Sequence, residues 1–338
     1  MADQAAIAYR PWAQRGRLAA LAGLGVLVVL PAVLRSIEAG YRLPVLTRMM
    51  AYGLAAAALD LVLGYGGLVS FGHGAFLGTG AYVAGAALHH AGRGTAVFSW
   101  PVAVGGTDEA LVILPVAALV SGGLALAIGA ISLRTRGVHF IMITLAFAQM
   151  VYFLVLAVPE YGGTDGLMLP RRSRLGGVSL EGDERLYWLT LVLLAGFLVG
   201  ARQAMEARFG LALRGARQNE RRLRALGYPV YAIRLLAFTV SGAACGVAGA
   251  LLANLATFVS PDLLSWQRSG ELIIMVVLGG QGTLVGPVAG AFVLLLLEEE
   301  LSSVTEHWML VLGPILLGCV LLFRRGLWGQ VTRAPHAG

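Results

Sequence analysis

The stretch GYGGLVSFGHGAF, Gly64 to Phe76, sets five glycines, Ser70 and His73 between two apolar runs. Glycines at this density cradle phosphates in soluble proteins, but a phosphate loop ends in Lys-Ser or Lys-Thr, and this chain contains no lysine. No His-Glu-x-x-His or Gly-x-Ser-x-Gly occurs, and His89-His90 has no carboxylate or cysteine nearby. These patterns assign no catalytic and no metal-binding residue, and they point away from an enzyme. What remains is a set of polar residues inside apolar runs. Asp60 and Glu271 are the most costly, because an ionised carboxylate at mid-membrane costs roughly 2.5–3.5 kcal/mol on insertion scales. Asp60 admits two readings, a proton or ion relay and a structural contact near a span end. Glu271 follows Arg268 by one helical turn and reads as its ion-pair partner. Thr144, Gln149 and Asn254 either line a translocation path or bond between helices. A helix beginning near Gly74 offers free N–H groups to a carboxylate, with Ser70 available to freed backbone groups and His73 as a packing or gating residue. The candidate path is therefore Ser70, His73, Gly74, Thr144, Gln149 and Asn254.

Such residues need a scaffold, and composition dictates its class. Of 338 residues, 58% are hydrophobic and 13% charged, with mean hydropathy +0.78. A soluble domain carries about 25% charge, so the chain is expected to be an all-α, polytopic integral membrane protein. Cys245 and Cys319 both lie inside apolar runs and read as small packing residues. Arg10, Arg15 and Arg17 precede the first apolar run in the manner of a signal peptide, but no small-x-small cleavage site follows it, so the run is read as a retained span.

The apolar runs are 18–34, 45–64, 75–90, 111–133, 138–158, 186–203, 232–256, 270–281, 284–298 and 308–323. A helix needs about 20 residues to cross ~30 Å of hydrocarbon. This gives about 8–10 transmembrane helices, with the short runs 75–90 and 270–281 each abutting a glycine-rich stretch. Gly-interrupted segments are expected to line a cavity. A faint internal echo relates Leu68-Val69 and Gly74-Ala75-Phe76 to Leu284-Val285 and Gly290-Ala291-Phe292. Residues 202–234 carry eight arginines against Glu206 and Glu220, six of the chain's net seven positive charges. By the positive-inside rule this region, the N-terminal tail, Arg134 with Arg136, and Arg324 with Arg325 are cytoplasmic. Both termini are then inside, with a tail at 1–17, a permease domain at 18–325 and a second tail at 326–338. That topology puts Gly64–Phe76 nearer the cytoplasmic side than mid-membrane.

Residues 204–230 combine Leu213, Ala216, Leu223 and Leu226 on one helical side with arginines around the rest, bracketed by Gly210 and Gly227. They read either as a basic surface holding anionic lipid headgroups or as a docking helix for a cytoplasmic partner. Gly74/Gly78, Gly242/Gly246 and Gly286/Gly290 have the spacing for close helix packing, within the chain or against a second permease. Residues 162–166, GGTDG, form a turn or a docking rim, and Arg171, Arg172 and Arg174 beside them are either solvated or set against an acidic surface.

Five stretches in register carry a resemblance: GYGGLVSFGHGAFLGTGAY (64–82), LRTRGVHFIMITLAFAQM (133–150), YGGTDGL (161–167), FGLALRGARQNERRLRALGYPV (209–230) and LGGQGTLVGPVAGAF (278–292). Over roughly 45–330 the chain resembles the permease subunits of ABC importers for branched-chain amino acids, of the LivH/LivM type. The resemblance implies an ABC importer permease fold in the bacterial inner membrane. It implies as partners a second homologous permease, two cytoplasmic ABC ATPases, a periplasmic substrate-binding protein and membrane lipid, with no nucleic acid. No cofactor is bound by this chain, and ATP is hydrolysed by partner subunits. The segment matching 209–230 is the family's coupling loop, so Gly210, Arg214, Arg217, Asn219, Glu220 and Gly227 become candidates for ATPase coupling. Arg222 and Leu223 stand where the family has a pair of small residues. The implied cargo is a branched-chain or other hydrophobic amino acid. Urea, short amides and other small organic solutes are the alternative, and an ion-coupled secondary transporter acting through Asp60 is the competitor from another class.

Overall fold

The structure, a computed structural model, describes residues 22–35, 42–98, 104–304, 307, 310–314, 316, 318 and 326–331. The apolar runs fold as helices because hydrocarbon offers no partner to backbone N–H and C=O groups. In chain order they are α1 (Ala22–Arg35), α2 (Leu43–Asp60), α3 (His73–Arg93), α4 (Ala110–Ser132), α5 (Val138–Leu156), α6 (Asp183–Glu206), α7 (Arg208–Gln218), α8 (Glu220–Ala225), α9 (Val230–Ala256), α10 (Trp266–Gly279) and α11 (Val285–Val304). Among the described residues, β structure amounts to three short two-stranded ladders. α2 with the π-helical turn Leu61–Tyr65 that extends it, α4, α5, α6 and α9 are each long and apolar enough to cross a membrane. The protein is an all-α, multi-pass membrane protein. The expected tail 1–17 and much of the expected last span 308–323 lie outside the described residues, as does Cys319.

α9 is the central post, packed by α2, α3 and α4. Its small residues let neighbours approach backbone to backbone: a Cβ on Gly80 of α3 would lie 1.9 Å from the Gly246 carbonyl oxygen, and one on Gly249 would lie 1.8 Å from that of Leu77. The three glycine pairs read from sequence are all used inside the chain: Gly78 faces Leu264, Gly242 faces Ala125 and Phe76, and Gly290 faces Met275. Cys245 is buried, its Sγ 3.6 Å from the Ala55 carbonyl oxygen.

The bundle has two distinct ends. At the arginine-rich end, α6 passes through α7 and α8 into α9. At the loop end, Leu167–Met168 pairs antiparallel with Phe258–Val259, and Arg172 donates to Asp183 at 2.7 Å and to the Leu255 carbonyl at 3.2 Å. Gly162, Gly163 and Gly166 all take positive φ, which makes residues 162–166 a tight turn that seats this ladder. Arg171 pairs with Asp108 at 2.9 Å, so Arg171 and Arg172 are engaged within the chain, while Arg174 is exposed.

One element departs from its sequence reading and a second keeps to it. The run 75–90 is not a short piece: α3 is continuous over 21 residues, and the interruption lies before it, in the non-helical stretch 66–72. α10 is short, with 14 residues. It begins inside the bundle, because α9 is followed by Phe258–Val259 and the 3-10 turn Pro261–Leu264, which folds back against α3 and α5.

Candidate functional site

Non-helical backbone at membrane depth requires partners, and the stretch Gly64–Gly74 has them throughout. The π-helical turn widens the end of α2 and is closed by Gly66 N–H to Leu61 O and Leu68 N–H to Val62 O. Asp60, fully buried at its start, accepts the backbone N–H of Gly282 at 2.7 Å and those of Thr283 and Leu284 at 3.1 Å each. Leu284 has φ +59°, a conformation rare for leucine, at the turn that enters α11. Asp60 therefore holds the glycine-rich 280–284 turn and leaves two of its oxygens already engaged. A Cβ on Gly64 would fall 2.3 Å from Gly282 N, so the two glycine-rich connections touch.

Further along, Ser70 Oγ accepts from Gly72 N–H at 3.2 Å. Phe71 is pinned at both ends: its N–H donates to Thr144 Oγ1 on α5 at 3.3 Å, and its carbonyl accepts from Ser269 Oγ on α10 at 2.7 Å. Ser269 Oγ in turn accepts the Gly74 N–H at 2.8 Å, so this N–H of the first turn of α3 is not open to a ligand. His73 is fully buried, edge-on to Phe76 and Phe238. Ser241 donates to the Ala58 carbonyl at 2.5 Å, so the 2.9 Å contact between His73 and Ser241 is donated by Nε2–H. His73 thus ties α3 to α9 and α2.

This stretch climbs away from the arginine-rich end. Gly64 O accepts from Arg217 there, whereas Gly74 lies against Ser265 and Ser269. The expectation that all of Gly64–Phe76 stays near the arginine-rich side is corrected: only its first half does.

Beyond Phe71, α5, α10 and the turn before α10 border an open polar cavity of about 320 Å³, whose lining includes Gln149, Tyr152, Asp262, Trp266, Arg268 and Glu271, with Gln267 beside them. Arg268 donates to Glu271 at 2.7 Å. Two helices place the cavity well away from the arginine-rich end. Gln149 stands roughly 17 Å along α5 from Val138, and Glu271 about 12 Å along α10 from Gly279, at 1.5 Å per residue. The six candidate path residues are thus divided. Ser70, Gly74 and Thr144 build the wall behind the cavity, Gln149 lines it, His73 is packed in the core, and Asn254 is remote. Asn254 Oδ1 accepts from Ser173 N–H at 2.8 Å and Nδ2 donates to Ala250 O at 2.9 Å, both near the loop end.

Sequence reading passed over Arg268, Glu271, Asp262, Tyr152 and Trp266 as a site. The available signal was a charged pair opening an apolar run too short to reach a surface, with Pro261 just before it.

In the arginine-rich segment Gly210 is buried and Glu220 largely so, while Arg214, Arg217, Asn219 and Gly227 keep much of their surface exposed. Gly210 is pressed against Met205, where a Cβ would lie 2.2 Å from the carbonyl oxygen. Arg214 donates to that same oxygen at 2.9 Å and lies over Tyr65. Asn219 Oδ1 accepts from Arg222 N–H at 3.0 Å and caps α8. Glu220, its side chain only 13% exposed, pairs with Arg136 at 3.0 Å, Arg224 at 2.5 Å and Arg234 at 2.9 Å. It thereby joins α8 to the α4–α5 turn and to α9. Gly227 has φ +84° at the turn into α9. Leu211 and Leu226 are 62% and 67% exposed, and Tyr228 and Arg221 also face outward.

Among the described residues, no group of three or more His, Cys, Asp or Glu side chains is placed to hold a metal. Residues 41–323 match the family model described as branched-chain amino acid transport system / permease component. The high-affinity branched-chain amino acid transport system permease protein LivM of Salmonella typhimurium is 29% identical over 305 residues, covering 83% of this chain and 68% of that protein. Its Escherichia coli K12 counterpart is 28% identical over the same coverage. The autoinducer 2 import system permease protein LsrC of Escherichia coli is 27% identical over 157 residues, 44% of this chain and 45% of that one. No solved structure matches the chain.

Proposed function

The chain belongs to the family of permease components of branched-chain amino acid transport systems, and from that premise we propose that it is one permease subunit of an ABC importer. It sits in the bacterial inner membrane with both termini in the cytoplasm and carries branched-chain or other hydrophobic amino acids inward. The chain performs no chemistry on its cargo and binds no cofactor. ATP is hydrolysed by two partner subunits, a second homologous permease completes the path, and a periplasmic binding protein delivers the solute.

The observation that carries this reading is the arginine-rich segment at one end of the bundle. α7 and α8 are short, stiff helices; Gly210 lies inside the first turn of α7 rather than before it, Gly227 follows α8, and Glu220 fastens the segment to two other elements through Arg136 and Arg234. A segment held this way transmits a push from a cytoplasmic partner to the spans as a rigid-body movement. Leu211, Leu226 and Tyr228, exposed among arginines, are the surface such a partner would cover. Asp60 speaks against the ion-coupled alternative: its carboxylate is engaged by three backbone N–H groups and is not poised as a relay. Similarity to LsrC, an autoinducer 2 permease, keeps non-amino-acid solutes as the second reading of the cargo.

The test is uptake into proteoliposomes holding the assembled permease–ATPase complex with its cognate binding protein. Leucine uptake is expected to require both ATP and the binding protein. Uptake driven by a proton or sodium gradient without ATP would overturn the mechanism, and ATP-driven uptake of urea but not leucine would overturn the cargo.

A further inference from the structure

We infer that the α5–α10 cavity is half of a site for a zwitterionic α-amino acid, with Arg268 taking the carboxylate and Glu271 the ammonium. The inference rests on the proposed import function and names the groups that recognise its cargo.

Ionised groups among membrane spans face a wet cavity or a partner. Arg268 and Glu271 do both: they pair with each other and line an open polar space of about 320 Å³, within the range for small-ligand sites. Their side chains stay 28% and 38% exposed, so neither is sealed in as a buried structural pair. An i,i+3 pair stabilises a helix by only about 0.2–0.5 kcal/mol, too little to explain two charges opening an apolar run on structural grounds alone. With no cargo present, Arg268 and Glu271 pair with each other. A zwitterion brings one charge of each sign, so each member of the pair gains a new partner when the internal pair opens. Urea and aliphatic amides bring none and have no means of opening it.

The remaining walls fit the same cargo. The planar guanidinium suits a carboxylate. Gln149 offers a further donor and acceptor, and Asp262 adds a carboxylate to the lining. Trp266, 44% exposed, and Tyr152 supply the apolar wall for a hydrophobic side chain. Behind the cavity, Phe71 is tied to both helices through Thr144 and Ser269, so a relative shift of α5 and α10 would change the cavity's width.

The experiment uses the assembled importer in proteoliposomes. Glu271→Gln and Arg268→Gln are each expected to raise KM for leucine uptake about tenfold or more, the scale of one lost charged hydrogen bond, while complex assembly and ATP hydrolysis persist. The double variant Arg268→Glu with Glu271→Arg keeps an internal pair but reverses it in a fixed site, and uptake is expected to stay low. A third readout needs no loss of charge: Gln267→Cys at the cavity rim should react more slowly with a thiol reagent when leucine is present, and at an unchanged rate with isovaleramide. Wild-type KM in both single variants, full uptake in the reversed pair, or equal labelling with and without leucine would each overturn the site. If the wild-type complex takes up no amino acid at all, the import reading fails instead.

Discussion

Single residues show how far a side chain's type is a guide to its task. Asp60 stands in an apolar run, and from sequence it is equally a relay and a contact. Its partners are the backbone N–H groups of residues 282–284, more than two hundred positions away, and backbone donors leave no mark in a sequence. His73 and Asn254 were legible as polar groups in apolar runs, but nothing in their spacing distinguishes a path from a packed core, as at His73, or from a loop contact, as at Asn254. The Arg268–Glu271 pair was legible as a pair, because one helical turn brings the two side chains together. Asp60→Asn tests the structural role. Asparagine presents one oxygen and an NH₂ group to three donors, so at least one buried N–H loses its acceptor. A loss of about 1–3 kcal/mol follows, to be measured as a lower unfolding midpoint of the detergent-solubilised complex. Uptake per folded complex is expected to remain. Undiminished stability with abolished uptake would return Asp60 to the translocation mechanism.

Helices and their contacts were the most legible level, since apolar runs of span length have one stable outcome in hydrocarbon. The small-residue pairs were also readable: Gly74/Gly78, Gly242/Gly246 and Gly286/Gly290 all meet neighbours at contact distance. The depth at which α10 begins was not. That depth depends on the 3-10 turn Pro261–Leu264 folding back against α3 and α5, a tertiary contact with no period in the sequence. For the same reason the cavity lining was missed. Two glycines make a paired test of the helix contacts. Gly80→Ala places a methyl 1.9 Å from the Gly246 carbonyl oxygen, so α3 must move off α9, at a cost of about 1–3 kcal/mol or more. Gly200→Ala on α6 meets nothing within 4 Å and is expected to stabilise by about 0.5–1 kcal/mol. Opposite shifts in thermal unfolding of the two variants are the expected result; equal shifts would mean that the α3–α9 contact is looser than described.

At the scale of the whole molecule, the arginine-rich end and the cavity are joined by one short run of chain. Arg217 on α7 donates to the Gly64 carbonyl and lies across Gly67, where a Cβ would meet its side chain at 2.7 Å. From Gly67 the chain climbs to Phe71, which is bonded to α5 and α10 on either side of the cavity. The segment is non-helical over 66–72, but it is anchored at both ends, so displacement of α7 has a direct route to the two helices that shape the cavity. Glu220 supplies a parallel connection, through Arg136 to the start of α5 and through Arg234 to α9. Arg217→Ala separates attachment from transmission. Its contact faces the bundle rather than the exposed strip of Leu211, Leu226 and Tyr228, so an ATPase partner should still bind and hydrolyse ATP within about twofold of wild type. Loss of a charged hydrogen bond of about 1.5–3 kcal/mol should lower the number of leucine molecules imported per ATP about tenfold or more. Arg217→Lys, which restores a donor but not the planar group, should recover part of that ratio. Measuring uptake and hydrolysis in the same proteoliposomes gives the ratio directly. An unchanged ratio in Arg217→Ala would leave the Glu220 connection as the route by which the bundle follows its partner.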